Sequence, residues 1–148
     1  MRSGAKKLLT DTAPALIAEG VDRFGQARVG VDGVSMLPAI RPGDVLLIAP
    51  RTITQIMPAD IVLFTVGPRL FAHRVVRIGT GHSGSPFLVT KGDTHRREDR
   101  PIVASQLVGR VVGLWRDGRA RAGPFPYSRA ASVAWMVGRL YARFASRV

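Results

Sequence analysis

Ser35 stands in the run Gly33-Val34-Ser35-Met36-Leu37-Pro38, and the chain continues through Arg41-Pro42-Gly43-Asp44 into an apolar stretch. A small hydroxyl residue on a bend, closed behind by a proline and a tight Pro-Gly turn, is laid out like a nucleophile. A serine hydroxyl attacks poorly at neutral pH. It needs a base within hydrogen-bond reach and donors for the oxyanion that forms on attack. The usual bases are lysine and histidine. The chain has three lysines, Lys6, Lys7 and Lys91. The first two lie in a polar N-terminal stretch and the third heads a charged loop. None has the apolar neighbours that make an ammonium give up its proton.

Of the three histidines, His82 sits in a glycine-serine loop and His95 in an arginine-rich one, so both read as surface residues. His73 lies between Phe71 and Val75 in an apolar stretch, where a polar ring needs a reason. A lone histidine there is better explained by a half-buried ring bonded to a carbonyl. Its spacing from the Ser35 element shifts the balance and makes it the candidate base. A base histidine also needs a carboxylate to fix its tautomer and steady the imidazolium. There are ten acids. Asp44 and Asp60 each close a turn and read as caps, and Asp117 belongs to an Asp-Gly turn. Asp93 and Asp99 share one loop, and residue types alone do not choose among these acids.

The elements that must hold these residues are mostly short strands. Ala27 to Val34 alternates and delivers the chain to Ser35. Arg41-Pro42-Gly43-Asp44 fits a type II turn. Strands are expected over 45–48, 61–65, 70–78, 87–90 and 107–115, with turns at Met57-Pro58-Ala59-Asp60, Val66-Gly67-Pro68-Arg69 and Asp117-Gly118. In the third of these strands, Phe71, His73, Val75 and Arg77 share one face, with Ala72, Arg74 and Val76 on the other. The pattern predicts a mainly β fold, a small curled antiparallel barrel-like domain over 28–122. A helical segment precedes it in 1–27, with a short helix over 14–24. A basic amphipathic helix follows within 123–148. Its arginines Arg129, Arg139, Arg143 and Arg147 form one stripe beside Val133, Val137, Leu140 and Phe144.

The chain has 148 residues, enough for one domain, and a net charge of +12 carried almost wholly by arginine. That charge draws anionic partners, whether membrane headgroups, nucleic acid or acidic peptides. The helix over 128–148 either packs on the domain with a solvated arginine face or lies peripherally in an anionic membrane interface. No run reaches the ~18–20 apolar residues that cross a bilayer, and the N-terminus is too polar for a signal peptide. The expectation is a cytoplasmic or peripheral membrane protein. There is no cysteine, which removes disulfides, thiolate zinc sites and a thiol nucleophile. No cofactor or metal is called for.

Four blocks together carry a resemblance. They are Ser35-Met36-x-Pro38 with Gly43-Asp44, Ala72-His73-Arg74-Val75-Val76, Thr90-Lys91-Gly92-Asp93 with Asp99, and Val108-Gly109-Arg110-Val111. In this order, and near this spacing, they resemble the S24/S26 serine peptidases, above all the histidine-containing branch of signal peptidase I. The resemblance covers about 28–115. It implies Ser35 as nucleophile with its backbone N–H as oxyanion donor, and His73 as general base. Asp99 matches the orienting acid, with Asp93 as neighbour or competitor. It also implies substrate contact around Met36 and Pro38, and an extended peptide or preprotein cut after small residues by acyl-enzyme formation. Three departures stand out: no transmembrane helix, no inserted second β domain, and Gly33 where many bacterial relatives carry a serine hydroxyl for the oxyanion.

Two rival readings remain. One is a specialised or self-processing peptidase of the same fold. The other is a non-catalytic arginine-rich binding module. Aromatic content of 7% and the lack of a recognition motif argue against nucleic acid.

Overall fold

The computed structural model describes residues 25–128. The helix expected over 14–24, and all but the first residue of the basic helix, lie outside them. Within the described residues there are eight strands: β1 (Ala27–Gly30), β2 (Val45–Ala49), β3 (Ile61–Val66), β4 (Arg69–Thr80), β5 (Pro86–Lys91), β6 (Ile102–Val103), β7 (Leu107–Arg116) and β8 (Arg119–Ala122). All pair antiparallel in one sheet ordered β1-β2-β7-β3-β4-β5-β6. β8 folds back on the second half of β7, from Gly113 to Arg116, past the point where β3 leaves that strand. The mainly β antiparallel reading holds, and the ladder ends at β1 and β6 without closing.

The continuous apolar run of β3 follows from its position. Ile61 and Leu63 enter one core cluster with Met36, Ile40, Leu46, Ile48, Val108, Val111 and Leu114. Val62 and Phe64 enter a second with Ile53, Ile56, Val75, Leu88 and Ile102. A strand covered on both faces has no solvent side for polar residues to occupy. β4 divides in the same way. Leu70 and Ala72 pack on the first cluster, and Phe71 and Val75 on the second. The expected alternation along β4 stops at a bulge between Val75 and Arg77, where Val76 has no partner on β5. Where β7 crosses β2, Gly109 leaves no room for a side chain. A Cβ there would collide with the Ala49 carbonyl oxygen and lie 2.8 Å from Ile48 Cγ2.

Two x-Pro-x-Asp turns are built alike. Gly43 takes φ +93°, the Asp44 N–H donates to Arg41 O at 3.0 Å, and Arg41 N–H donates to Asp44 Oδ2 at 2.8 Å. Ala59 at φ +77° takes the glycine position in the second, where Met57 N–H donates to Asp60 Oδ2 at 2.8 Å. Both acids cap their turns, as expected. Asp44 also binds Arg116 through both carboxylate oxygens, at 2.8 and 2.7 Å, and Arg116 Nη2 donates to Ala39 O at 3.2 Å. This pair ties the turn that follows Ser35 to the end of β7.

Burial by itself would push the Asp44 carboxyl up. The hydrogen bonds from Arg116 and from the Arg41 N–H outweigh it and hold the carboxyl below the usual carboxylate range. A depressed folded-state value means the stability it contributes is present above the unfolded value of ~3.9 and is lost as pH falls through the folded one. Asp44→Asn should therefore destabilise the protein at neutral pH by ~3–5 kcal/mol, the cost of breaking a buried pair. It should also flatten the loss of stability below pH ~4. Urea unfolding at pH 7 and at pH 3 checks both.

Candidate active site

Ser35 opens a tight turn immediately after the extended segment that follows β1. Leu37 N–H donates to Val34 O at 3.3 Å and Ile40 N–H to Met36 O at 2.9 Å. The Ser35 carbonyl is held from the other side by Thr94, whose N–H donates at 2.9 Å and whose Oγ1 donates at 3.2 Å. The Ser35 N–H makes no hydrogen bond among the described residues. Met36 turns its side chain into the first core cluster and is 3% exposed. Pro38 is half-buried.

His73 is buried on β4, opposite Val62 of β3. Its ring packs edge-on to Phe64 and tilted to Phe71, with centroids 5.9 Å away in each case. Two polar contacts serve it. Nε2 lies 3.2 Å from Ser35 Oγ, and Nδ1 lies 2.6 Å from Asp99 Oδ2. With Asp99 ionised, Nδ1 carries the proton and donates it, which leaves Nε2 as the acceptor facing the serine hydroxyl. Asp99 is itself positioned by Thr90 at the end of β5. Thr90 Oγ1 donates to the same Oδ2 at 2.7 Å, and Asp99 N–H donates to Thr90 O at 2.8 Å. Ser35, His73 and Asp99 thus converge in one line of hydrogen bonds.

Asp93 is elsewhere. It is buried against Arg74 in a bidentate pair, Nε to Oδ1 and Nη2 to Oδ2, both 2.9 Å. Arg74 Nη1 also donates to Ala59 O at 3.1 Å and to Phe125 O at 2.6 Å. Asp99 contacts His73 and Asp93 contacts Arg74, because successive β4 side chains leave the sheet on opposite faces. His73 faces the aromatic side, and Arg74 takes Asp93 on the other.

Sequence reasoning passed over Thr90, Thr94 and His95. Thr90 carried a signal, since a polar residue ending the apolar run Phe87-Leu88-Val89 needs a buried partner. Thr94 carried none, because its contact with Ser35 joins residues 59 apart. His95 is exposed, as expected, yet its ring stands edge-on to His73 with centroids 5.3 Å apart. His82 is exposed in its loop.

The chain is similar to the signal peptidase complex catalytic subunit SEC11 of Saccharomyces cerevisiae, strains YJM789 and RM11-1a. Identity is 31% over 119 residues in each case, covering 75% of this chain. The chain belongs to the signal peptidase I family, in its endoplasmic-reticulum-type branch. It spans 66% of the length of those relatives. No protein-family model matches it. Among the described residues, no helix is long and apolar enough to cross a membrane.

The two acids should separate in stability. Asp93→Ala strands the buried Arg74 guanidinium and should cost ~3–5 kcal/mol. Asp99→Ala removes hydrogen bonds at a partly exposed carboxylate and should cost ~1–2 kcal/mol. Urea midpoints of the two variants, compared with the parent, test the assignment.

Proposed function

We propose that this protein is a serine endopeptidase of the signal peptidase type, in which Ser35 is the nucleophile, His73 the general base and Asp99 the residue that orients His73. The observation that carries the reading is the continuous path from Ser35 Oγ through both His73 nitrogens to Asp99 Oδ2, 3.2 and 2.6 Å. Family membership supports it, since the yeast relatives are named as catalytic subunits of a signal peptidase complex.

In this mechanism Ser35 Oγ attacks the scissile carbonyl while Nε2 takes its proton. The imidazolium is steadied by Asp99, whose carboxylate stays ionised. The oxyanion is received by the Ser35 N–H, which has no other acceptor among the described residues. The imidazolium then gives its proton to the leaving amine. A water activated by the same nitrogen hydrolyses the acyl-enzyme and frees Ser35. An Oγ–Nε2 separation at the long end of a hydrogen bond fits a site that tightens when substrate arrives. The substrate is an extended peptide, such as a signal peptide or leader, and the family likeness favours small residues at the cleaved side.

Ser35→Ala and His73→Ala should abolish cleavage of a fluorogenic signal-peptide-like substrate. Asp99→Asn should lower kcat by up to ~10⁴-fold through loss of the correct tautomer. Wild-type rates in Ser35→Ala and His73→Ala would sink the assignment. Asp93→Asn, corrected for its folded fraction, should retain far more activity than Asp99→Asn.

Oxyanion support rests on backbone in this chain, and Gly33 leaves space for more. A Cβ built there meets nothing within 4 Å, and its φ lies outside the positive range that disfavours side chains. One added donor is worth at most ~2.7–4 kcal/mol of barrier. Gly33→Ser should raise kcat about tenfold or more with little change in KM, as read by steady-state kinetics on the same substrate.

A further inference from the structure

We propose that His73, His95 and Asp99 form a zinc(II) site that switches the peptidase off. Its inhibitory half rests on the reading of His73 as the base; its binding half does not. One ligand atom from each of the three residues lies within 4.8 Å of the other two. Two imidazoles and a carboxylate make a donor set that zinc favours, with the fourth tetrahedral position left to water.

Each ligand has capacity for the metal. Asp99 uses only Oδ2 for Thr90 and His73, so Oδ1 carries no hydrogen bond among the described residues. The His95 ring likewise makes no hydrogen bond among them; only its backbone N–H and carbonyl are engaged. His95 reaches this position because residue 92 is glycine. A Cβ on Gly92 would lie 2.7 Å from His95 Nδ1, so the ring rests where any other side chain would stand. His95 is exposed, which gives the ion a path from solvent to a buried His73. Zinc–ligand bonds of ~2.0–2.1 Å require neighbouring donors to stand ~3.3 Å apart. Binding therefore asks for rotation of the exposed His95 ring and use of Asp99 Oδ1.

Inhibition follows from proton placement. In the free site the Nδ1–H of His73 points to Asp99 and Nε2 accepts from Ser35. When zinc binds Nδ1, the proton held there moves to Nε2, and Asp99 becomes a metal ligand in place of a proton acceptor. Nε2 then donates toward Ser35 and cannot take the serine proton. The imidazole stays neutral throughout, and no redox step is involved.

Two measurements on the tag-free chain of 148 residues test this. Calorimetric titration with zinc chloride should show one site. Its affinity should fall at least tenfold in His95→Ala and His95→Asn and stay unchanged in Ser35→Ala. Cleavage of the fluorogenic substrate should be inhibited by zinc, restored by EDTA and unaffected by magnesium. His95→Ala should keep its zinc-free activity within about twofold while resisting zinc at least tenfold better. Zinc binding with no dependence on His95, or no binding at all, overturns the site. Zinc binding that needs His95 but leaves cleavage untouched overturns the switch. Absence of any cleavage in the parent protein would count against the peptidase reading and leaves the calorimetric test of the site intact.

Discussion

The buried ion pair between Arg74 and Asp93 is the constraint on which the site geometry depends. Arg74 follows His73 directly in β4, and Asp93 lies near the start of the β5–β6 loop that also carries Asp99. Two parallel hydrogen bonds of 2.9 Å lock that loop to that strand in a single register. Thr94, the next residue, holds the Ser35 carbonyl. Asp99 returns to Thr90 and to the far side of the His73 ring. Strand, loop and serine turn are therefore referred to one another through one charged contact. Such a pair adds little net stability over an apolar replacement, because desolvating both groups offsets their attraction. Its planar, bidentate form instead defines one arrangement, and that is what a line of hydrogen bonds requires.

The second organising feature is a sheet buried on both faces at its centre. β3 contributes Ile61 and Leu63 to one core and Val62 and Phe64 to the other. β4 then presents His73 beside Phe64 and Phe71 on one face, and Arg74 to Asp93 on the other. Within this aromatic setting, among the described residues, the polar side chains hydrogen-bonded to the His73 ring are those of Ser35 and Asp99. Each fixes one ring nitrogen, so tautomer and orientation follow from the same two contacts. The Asp44–Arg116 pair does comparable work on the serine side. It anchors the Ser35 turn through Ala39 O and closes the Pro-Gly turn behind it.

Much of this was legible in the chain, for local reasons. The strands over 45–48, 61–65, 70–78, 87–90 and 107–115 announced themselves by apolar runs between Pro and Gly punctuation, and each is present with slightly wider bounds. Asp44 and Asp60 were readable as turn caps because the Pro-x-Asp pattern acts within four residues. The two-residue strand β6 was not readable, since it forms only by pairing with Phe87 and Leu88. The bulge at Val76 was not readable either, because periodicity within β4 cannot register a mismatch with β5. That the Met36 side chain joins the core was not readable either, because the residues it packs with, from Leu46 to Leu114, are distant in sequence.

By itself the amino-acid order determined the residue types that could do the chemistry. One serine lay on a bend, one histidine sat among apolar neighbours, and no lysine could compete. It also determined the β character, because strand periodicity and turn chemistry act over a few residues. Tertiary structure decided which acid meets His73, what holds Ser35, and that His95 stands beside the proposed base. These contacts join residues 26, 59 and 22 positions apart. Asp93 and Asp99 are the same side chain in the same loop. Only the fold, by sending His73 and Arg74 to opposite faces of β4, gives one to the imidazole and the other to the guanidinium.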